Sequence, residues 1–191
     1  MRRMTEPRPL RADARRNRAR VLAAAETVFA ARGTGAPTEE VAREAGVGIG
    51  TVFRHFPTKE ALLEAVLADR MRRFAEEAQS FAAAADPESA FFGFLARWAE
   101  VSAAKNAYAD ALAAAGAEVP RLAAEVGAKV RDALGALLSR AQQAGAVRED
   151  VGVAELIALM VGASRAAEHV GDDAGLRART LGIVFDGLRP R

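Results

Sequence analysis

Between residues 33 and 57 the chain breakers fall so close together that only short helices fit between them. Gly33, Pro37, Gly46, Gly48 and Pro57 bracket two stretches, "TEEVAREA" and "IGTVFRHF", each about two helical turns long. On either side, apolar residues recur with the i, i+3/i+4, i+7 spacing of one buried helix face. Val21, Leu22, Ala25, Val28 and Phe29 mark such a face in a helix over 15–32, and Leu62, Leu63, Val66, Leu67, Met71 and Phe74 mark another in a helix starting at Lys59. Thr38 suits the N-cap of the first short helix, Glu39 and Glu40 suit its positive start, and Gly46 is placed to close it in the left-handed conformation. Thr58 is placed to cap the long helix after Pro57. Further helices are expected at 88–104, 106–115, 120–144, 151–170 and 174–188, separated by turns containing Gly, Pro or Asp. No stretch alternates apolar and polar residues with β-branched or aromatic enrichment, and nothing repeats at a fixed period. The expected fold class is all-α.

The net charge of +2 conceals a division. Residues 1–73 hold 15 Lys+Arg against 9 Asp+Glu, and the remaining 118 hold 12 against 16. Eight arginines fall in the first twenty residues. A basic head and a mildly acidic body is the asymmetry of a polyanion-binding part joined to a part that binds something else; a basic tail without a partner has the same composition. With no cysteine, disulfides and cysteine-based metal or nucleophile sites are excluded. No apolar run approaches the ~18 residues that span a bilayer, and no apolar segment of a leader follows the basic N-terminus, so no membrane partner and a cytoplasmic location are expected.

The glycines at 46, 48 and 50, followed by Arg54, His55 and Lys59, suggest a phosphate, either a nucleotide's or a nucleic-acid backbone's. A dinucleotide fingerprint needs G-x-G-x-x-G directly after a strand. Here "GVGIGT" puts Thr51 where the last glycine belongs and follows a capped helix. No Gly-Lys-Ser/Thr follows either, so the P-loop pattern fails. Two short helices joined by a tight glycine turn match a helix-turn-helix instead. Val52 and Phe56, at i and i+4, face inward. Ile49, Gly50, Thr51, Phe53, Arg54 and His55 stay on the outer side, a small and basic surface that fits the ~12 Å major groove. Gly50 is poor for helix stability, by up to about 1 kcal/mol relative to Ala, but it permits close backbone approach.

Residues 15–67, and above all "TEEVAREAGVGIGTVFRHFPTKEALLEAV", resemble the N-terminal DNA-binding domain of the TetR family of transcriptional regulators. The pattern G-V-x-x-[GP]-T-[LV]-[YF]-x-[HY]-F-x-x-K-[ED]-x-L is met at almost every position, over about a third of the chain. The resemblance implies a flexible basic arm over 1–14, a helix-turn-helix domain over 15–58, and a helical effector-binding and dimerisation domain over 59–191, with 59–85 as its connecting helix. It also implies DNA contacts from Thr38, Gly48, Ile49, Gly50, Thr51, Phe53, Arg54, His55 and Lys59. Ile49, Gly50 and Thr51 would meet base edges and the groove floor, while Thr38, His55 and Lys59 would meet phosphates. Arg54 would reach the backbone in preference to a guanine. Position 53 is usually Tyr in the family; Phe53 lacks that hydroxyl and offers only apolar contact, for instance to a thymine methyl. The arginines at 11, 15, 16, 18 and 20 would form an arm near the adjacent minor groove or simply raise the local charge.

The body offers no catalytic set. His55 and His169 are the only histidines, "RAAEH" lacks metal-ligand spacing, and no serine lies in Gly-x-Ser-x-Gly. No cofactor, metal or enzymatic activity is expected, although a ligand-binding or enzymatic protein with a vestigial helix-turn-helix is the competing reading. Phe94, Arg97, Trp98, Tyr108, Met160 and His169, with Asn106, are candidates for an effector pocket, against a default role in core packing for the large side chains. Gly162, Ala163 and Ala166 leave a smooth stripe on one helix, and Leu181, Val184, Phe185 and Leu188 a face on the next. The resemblance implies that these pair with their twofold copies as a homodimer on a palindromic operator.

Overall fold

The structure, a computed structural model, describes residues 8–116, 121–169 and 173–190. These form eight helices and no strand: α1 Arg8–Arg32, α2 Thr38–Glu44, α3 Ile49–His55, α4 Lys59–Ala82, α5 Pro87–Ala114, α6 Arg121–Gln143, α7 Val153–His169 and α8 Ala174–Leu188. Helix ends follow local chemistry. Thr58 accepts the Ala61 N–H at 3.1 Å to start α4, and Asp173 accepts the Leu176 N–H at 2.9 Å to start α8. Pro87 opens α5 at a position where its missing N–H costs nothing.

Three local expectations change. Helix α1 begins at Arg8, so residues 8–14 are helical where a flexible arm was expected; that expectation for residues 1–7 lies outside the described residues. Arg, Leu and Ala are good helix formers, and Pro9 sits in the first turn, where it is tolerated. Helix α5 runs for 28 residues without the expected break near 105, since no Gly or Pro lies between Gly93 and Gly116 and Ala dominates the stretch. Thr38 is the first helical residue and is buried; extended Pro37 precedes it, and no side chain caps α2.

The chain divides into two compact units, Met1–Leu67 with Ala107–Glu118 and Ala68–Asn106 with Val119–Arg191. Helices α4 and α5 each contribute to both. In the first unit α1 packs on α2 and α3, burying Val21, Ala25, Phe29, Val41, Val52, Phe56, Leu62 and Val66. Tyr108 joins this core, its ring edge-on to Phe29 with centroids 6.2 Å apart. In the second unit Phe74, Phe91, Phe94, Leu134, Leu137, Leu156, Met160 and Leu188 share one core. Phe74 stacks on Phe94 at 5.2 Å, and Trp98 stands edge-on to both. Arg140 of α6 donates to the carbonyls of Ala82 and Ala84, which the end of α4 leaves without helical partners.

Candidate nucleic-acid interface

The turn between α2 and α3 is set by Gly46. Its φ of +62° lies in the left-handed region, where a Cβ is disfavoured. The Gly46 N–H bonds the Arg43 carbonyl at 3.1 Å and the Val47 N–H bonds the Ala42 carbonyl at 3.0 Å, the paired closure of a Schellman motif. Arg20, from α1, donates to the Ala45 carbonyl at 2.6 Å and so satisfies another end of α2. A Cβ at position 46 would stand 3.2 Å from the same guanidinium. Spacing within α2 foretold the glycine, but nothing local pointed to Arg20, which lies 25 residues away.

After the turn, Gly48 is the extended N-cap of α3. Val52 and Phe56 are buried, as their spacing predicts, and hold α3 on the core. The opposite side is open: Ile49 is 36% and Phe53 42% exposed, Gly48, Gly50 and Arg54 are exposed, and Thr51 and His55 are half-buried. A Cβ added at Gly50 would meet nothing within 4 Å, so packing within the chain does not require glycine there. Helix α3 carries no acid in its first turn and Arg54 and His55 in its last. Arg18 of α1 lies over the Phe56 ring, 4.9 Å from its centroid. Lys59 donates to the Gly35 carbonyl at 2.8 Å, tying the start of α4 to the turn before α2. Thr38, at the start of α2, is buried. The expected DNA-contact residues therefore gather around α3, with Lys59 and Thr38 at its margin and partly engaged in holding it.

The six effector-pocket candidates do not gather in this way. Phe94 and Met160 are fully buried in the core of the second unit, with half-buried Trp98 packed against it. Arg97 instead faces Glu77, donating to both its carboxylate oxygens at 2.6 and 3.1 Å, and also reaches Glu100 at 3.2 Å. His169 is exposed at the end of α7, and Tyr108 belongs to the first unit. In the second unit the expected candidate Asn106 is buried, and so are Ser102 and Ser164, which were not among the candidates. Burial pushes the Lys105 ammonium below its usual range, with the charge of Arg165 adding to it. Ser102 lies at i+4 from Trp98 and i−4 from Asn106, on the row that Phe94 begins, which is the signal that marks it.

The interface candidates divide. Gly162, Ala163, Ala166 and Val184 line an open groove of about 680 Å³ with Leu159 and Thr180. Leu181, Phe185 and Leu188 turn the other way, into the unit's own core. Leu188 is 2% exposed, and Phe185 packs on Phe92 at 5.3 Å. The outward row of α8 is Leu176, Thr180 and Ile183, again at i, i+4 and i+7, with Ile183 73% exposed. An i, i+3, i+4, i+7 pattern marks an apolar face without saying which neighbour covers it. Among the described residues no group of three His, Cys, Asp or Glu is placed to hold a metal, and no helix is long and apolar enough to cross a membrane.

A short helix presented by a tight turn, with small and apolar residues outward and cations at its end, is a helix-turn-helix reader of duplex DNA. Comparisons agree along most of the chain. The family model for bacterial regulatory proteins of the tetR family matches residues 21–66, and the model for the C-terminal domain of SbtR-like transcriptional regulators matches residues 86–190. A TetR transcription regulatory protein from Mycobacterium vanbaalenii has a crystal structure similar to this one, with a TM-score of 0.74 and 44% identity, covering 95% of this chain and 100% of that one. A TetR transcriptional regulator from Streptomyces coelicolor gives 0.73 and 34%, over 91% and 98% of the two chains. The uncharacterized HTH-type transcriptional regulator TtgW of Pseudomonas putida is 45% identical over 60 residues, which are 31% of this chain. The match spans 45% of that curated relative's length. The chain belongs to the TetR family of DNA-binding transcriptional regulators.

Proposed function

We propose that the chain is a homodimeric, cytoplasmic repressor that binds a palindromic operator through α3 and leaves it when a small molecule binds the second unit. The observation that carries this reading is the open side of α3, where Ile49, Gly50, Thr51, Phe53 and Arg54 face away from the core that Val52 and Phe56 anchor. Ile49 and Thr51 meet base edges, Gly50 lets the helix backbone approach the groove floor, and Phe53 contributes apolar contact without a hydroxyl. Arg54, His55, Lys59 and Thr38 meet phosphates. One short helix in one groove binds weakly, and two recognition helices ~34–36 Å apart read successive major grooves on one DNA face. The exposed row of α7 and α8, with the groove along Gly162, Ala163, Ala166 and Val184, supplies a self-complementary apolar surface for that pairing. TetR-family regulators typically act as dimers with small-molecule ligands. Release by a factor of one hundred requires the effector to discriminate between the two states by about 2.7 kcal/mol.

Footprinting of the purified protein on the DNA upstream of its own gene tests this reading. The expected result is one protected palindrome, lost on replacing Thr51 by Trp while the dimer persists in sizing chromatography. Binding without any preferred site, steep in salt, would instead indicate a nonspecific DNA-coating protein. Dissociation of the Thr51→Trp variant to monomers would show that position 51 serves assembly and not the groove.

A further inference from the structure

We propose that the second unit takes an anionic effector, a small organic carboxylate or phosphate, with its acid group at Lys105 of α5 and its apolar part along Trp98. The inference rests on the effector reading above and adds the chemical class of the ligand. Lys105 stands seven residues after Trp98 in α5, which places the two about 20° apart round the helix and roughly 10 Å apart along it. Both are half-buried, and buried Ser102 lies between them on the same side. A ring, a hydroxyl and an ammonium therefore follow one another along one side of α5, all within the second unit.

Two inward rows of this unit turn polar toward their ends. On α5 the row of Phe94 and Trp98 continues as Ser102 and Asn106, and on α7 Leu156 and Met160 are followed by Ser164. Lys105 and Arg165 stand next to these polar ends, near enough for the charge of Arg165 to oppose that of Lys105. The Ser164 hydroxyl donates to the Val161 carbonyl, and Asn106 and Arg165 have partners of their own. The site therefore depends on Lys105, with Ser102 beside it and Arg165 adding to the positive field.

Lys105 is charged in a place that does not favour charge. Its ammonium is drawn partly out of water beside another cation, and among the described residues no acid stands against it. The nearest acids along α5, Glu100 and Asp110, lie five residues away on either side, about 140° round the helix. Glu100 meets Arg97 instead. An ammonium that loses water without gaining a partner is unfavourable, and a neighbouring like charge adds to the penalty. An anion set against Lys105 relieves both, with an attraction stronger there than in bulk water. A neutral effector would bury the ammonium further and leave it unpaired. Trp98 supplies an apolar flank, so a molecule with an acid at one end and hydrocarbon at the other matches the whole side of α5.

The test titrates octanoate, octyl phosphate and neutral octanamide into the full chain without DNA. Calorimetry and the fluorescence of Trp98, the single tryptophan of the chain, read binding. One of the two anions is expected to saturate one site per chain, and the tighter one names the acid group. Octanamide should bind about tenfold or more weaker, the loss of a hydrogen bond to a charged group. Lys105→Met should remove that preference and Lys105→Arg should keep it; both replacements are good helix formers. Ligand-free Lys105→Met should melt no lower than its parent, since it sheds an unpaired charge. Equal binding of octanamide, a preference that survives Lys105→Met, a variant that melts well below its parent, or no binding of either anion at millimolar concentration each overturns the anion site. Operator binding is read separately. Saturation that leaves the operator protected overturns the effector role and leaves the anion site standing. Failure of the parent to protect any operator overturns the repressor reading, while the titration without DNA still decides the site.

Discussion

The two units place their candidate functional residues in opposite settings. In the first, the core of Val21, Phe29, Val52 and Phe56 serves to hold an outer surface, and the residues of interest are those the core rejects: Ile49, Gly50, Phe53 and Arg54. In the second, the large side chains point inward, and Phe94 and Trp98, expected to line an effector pocket, pack with Phe74 in the core. A surface site is specified by short-range spacing, because neighbours on one helix face are three or four residues apart. An interior site depends on which helices meet, and spacing does not carry that.

The largest expected effect breaks the second unit. Phe94 has no exposed surface and is ringed by Phe74, Phe81 and Trp98. Phe94→Ala should lower unfolding stability by about 3–5 kcal/mol, the range for deleting a ring from a filled core. Urea denaturation of the two proteins measures it. A loss below about 1 kcal/mol would mean that the ring borders open space, and would make Phe94 a pocket wall instead of a core residue.

That contrast also explains what could be read without coordinates. Breakers and caps are local, so Gly46, Pro57, Thr58 and the inward pair Val52 and Phe56 were legible, as was the composition of the α3 surface. Helix ends were less so. Pro37 took the place expected of Thr38, and α5 ran through position 105 because Ala, Ser, Lys and Asn do not by themselves stop a helix. In the body, the pattern at Leu181, Val184, Phe185 and Leu188 marked α8 as amphipathic, but both its sides carry apolar residues, and only packing against Phe92 and the core tells one from the other. Arg97 looked like a free cation for a ligand because Glu77, twenty residues away, is on another helix.

An intermediate effect separates stability from recognition in the first unit. Gly50 faces open space, so Gly50→Ala should stabilise the unit, by up to about 1 kcal/mol, as Ala replaces Gly inside a helix. The same methyl group should stand between α3 and the groove floor and weaken operator binding about tenfold, equivalent to ~1.4 kcal/mol. Thermal melts and operator titrations on one preparation read both quantities. A variant that is more stable and binds DNA as well as its parent would remove Gly50 from the interface. In the second unit no such separation is expected, since there a substitution at the candidate site is also a substitution in the core.

The smallest effect asks whether Arg97 is committed to the fold or available to an effector. The Arg97 guanidinium, bonded to both oxygens of Glu77, holds that carboxyl below its usual range. A carboxylate depressed in the folded state adds stability that is present above its unfolded pKa, about 4.3, and is lost as pH falls through the folded value. The pair is exposed, with 40% and 38% of the two side chains reaching solvent, which limits its worth to under about 1 kcal/mol. Arg97→Gln should therefore lower stability by a few tenths to about 1 kcal/mol at neutral pH, and the gap between variant and parent should close in acid as Glu77 protonates. Denaturation at neutral pH and near pH 3 measures the two gaps. A gap that persists undiminished in acid would assign the loss to the packing of the Arg97 stem and not to its charge. The guanidinium would then be free of Glu77 in solution and open to an anionic effector, as Arg54 on α3 is open to a phosphate.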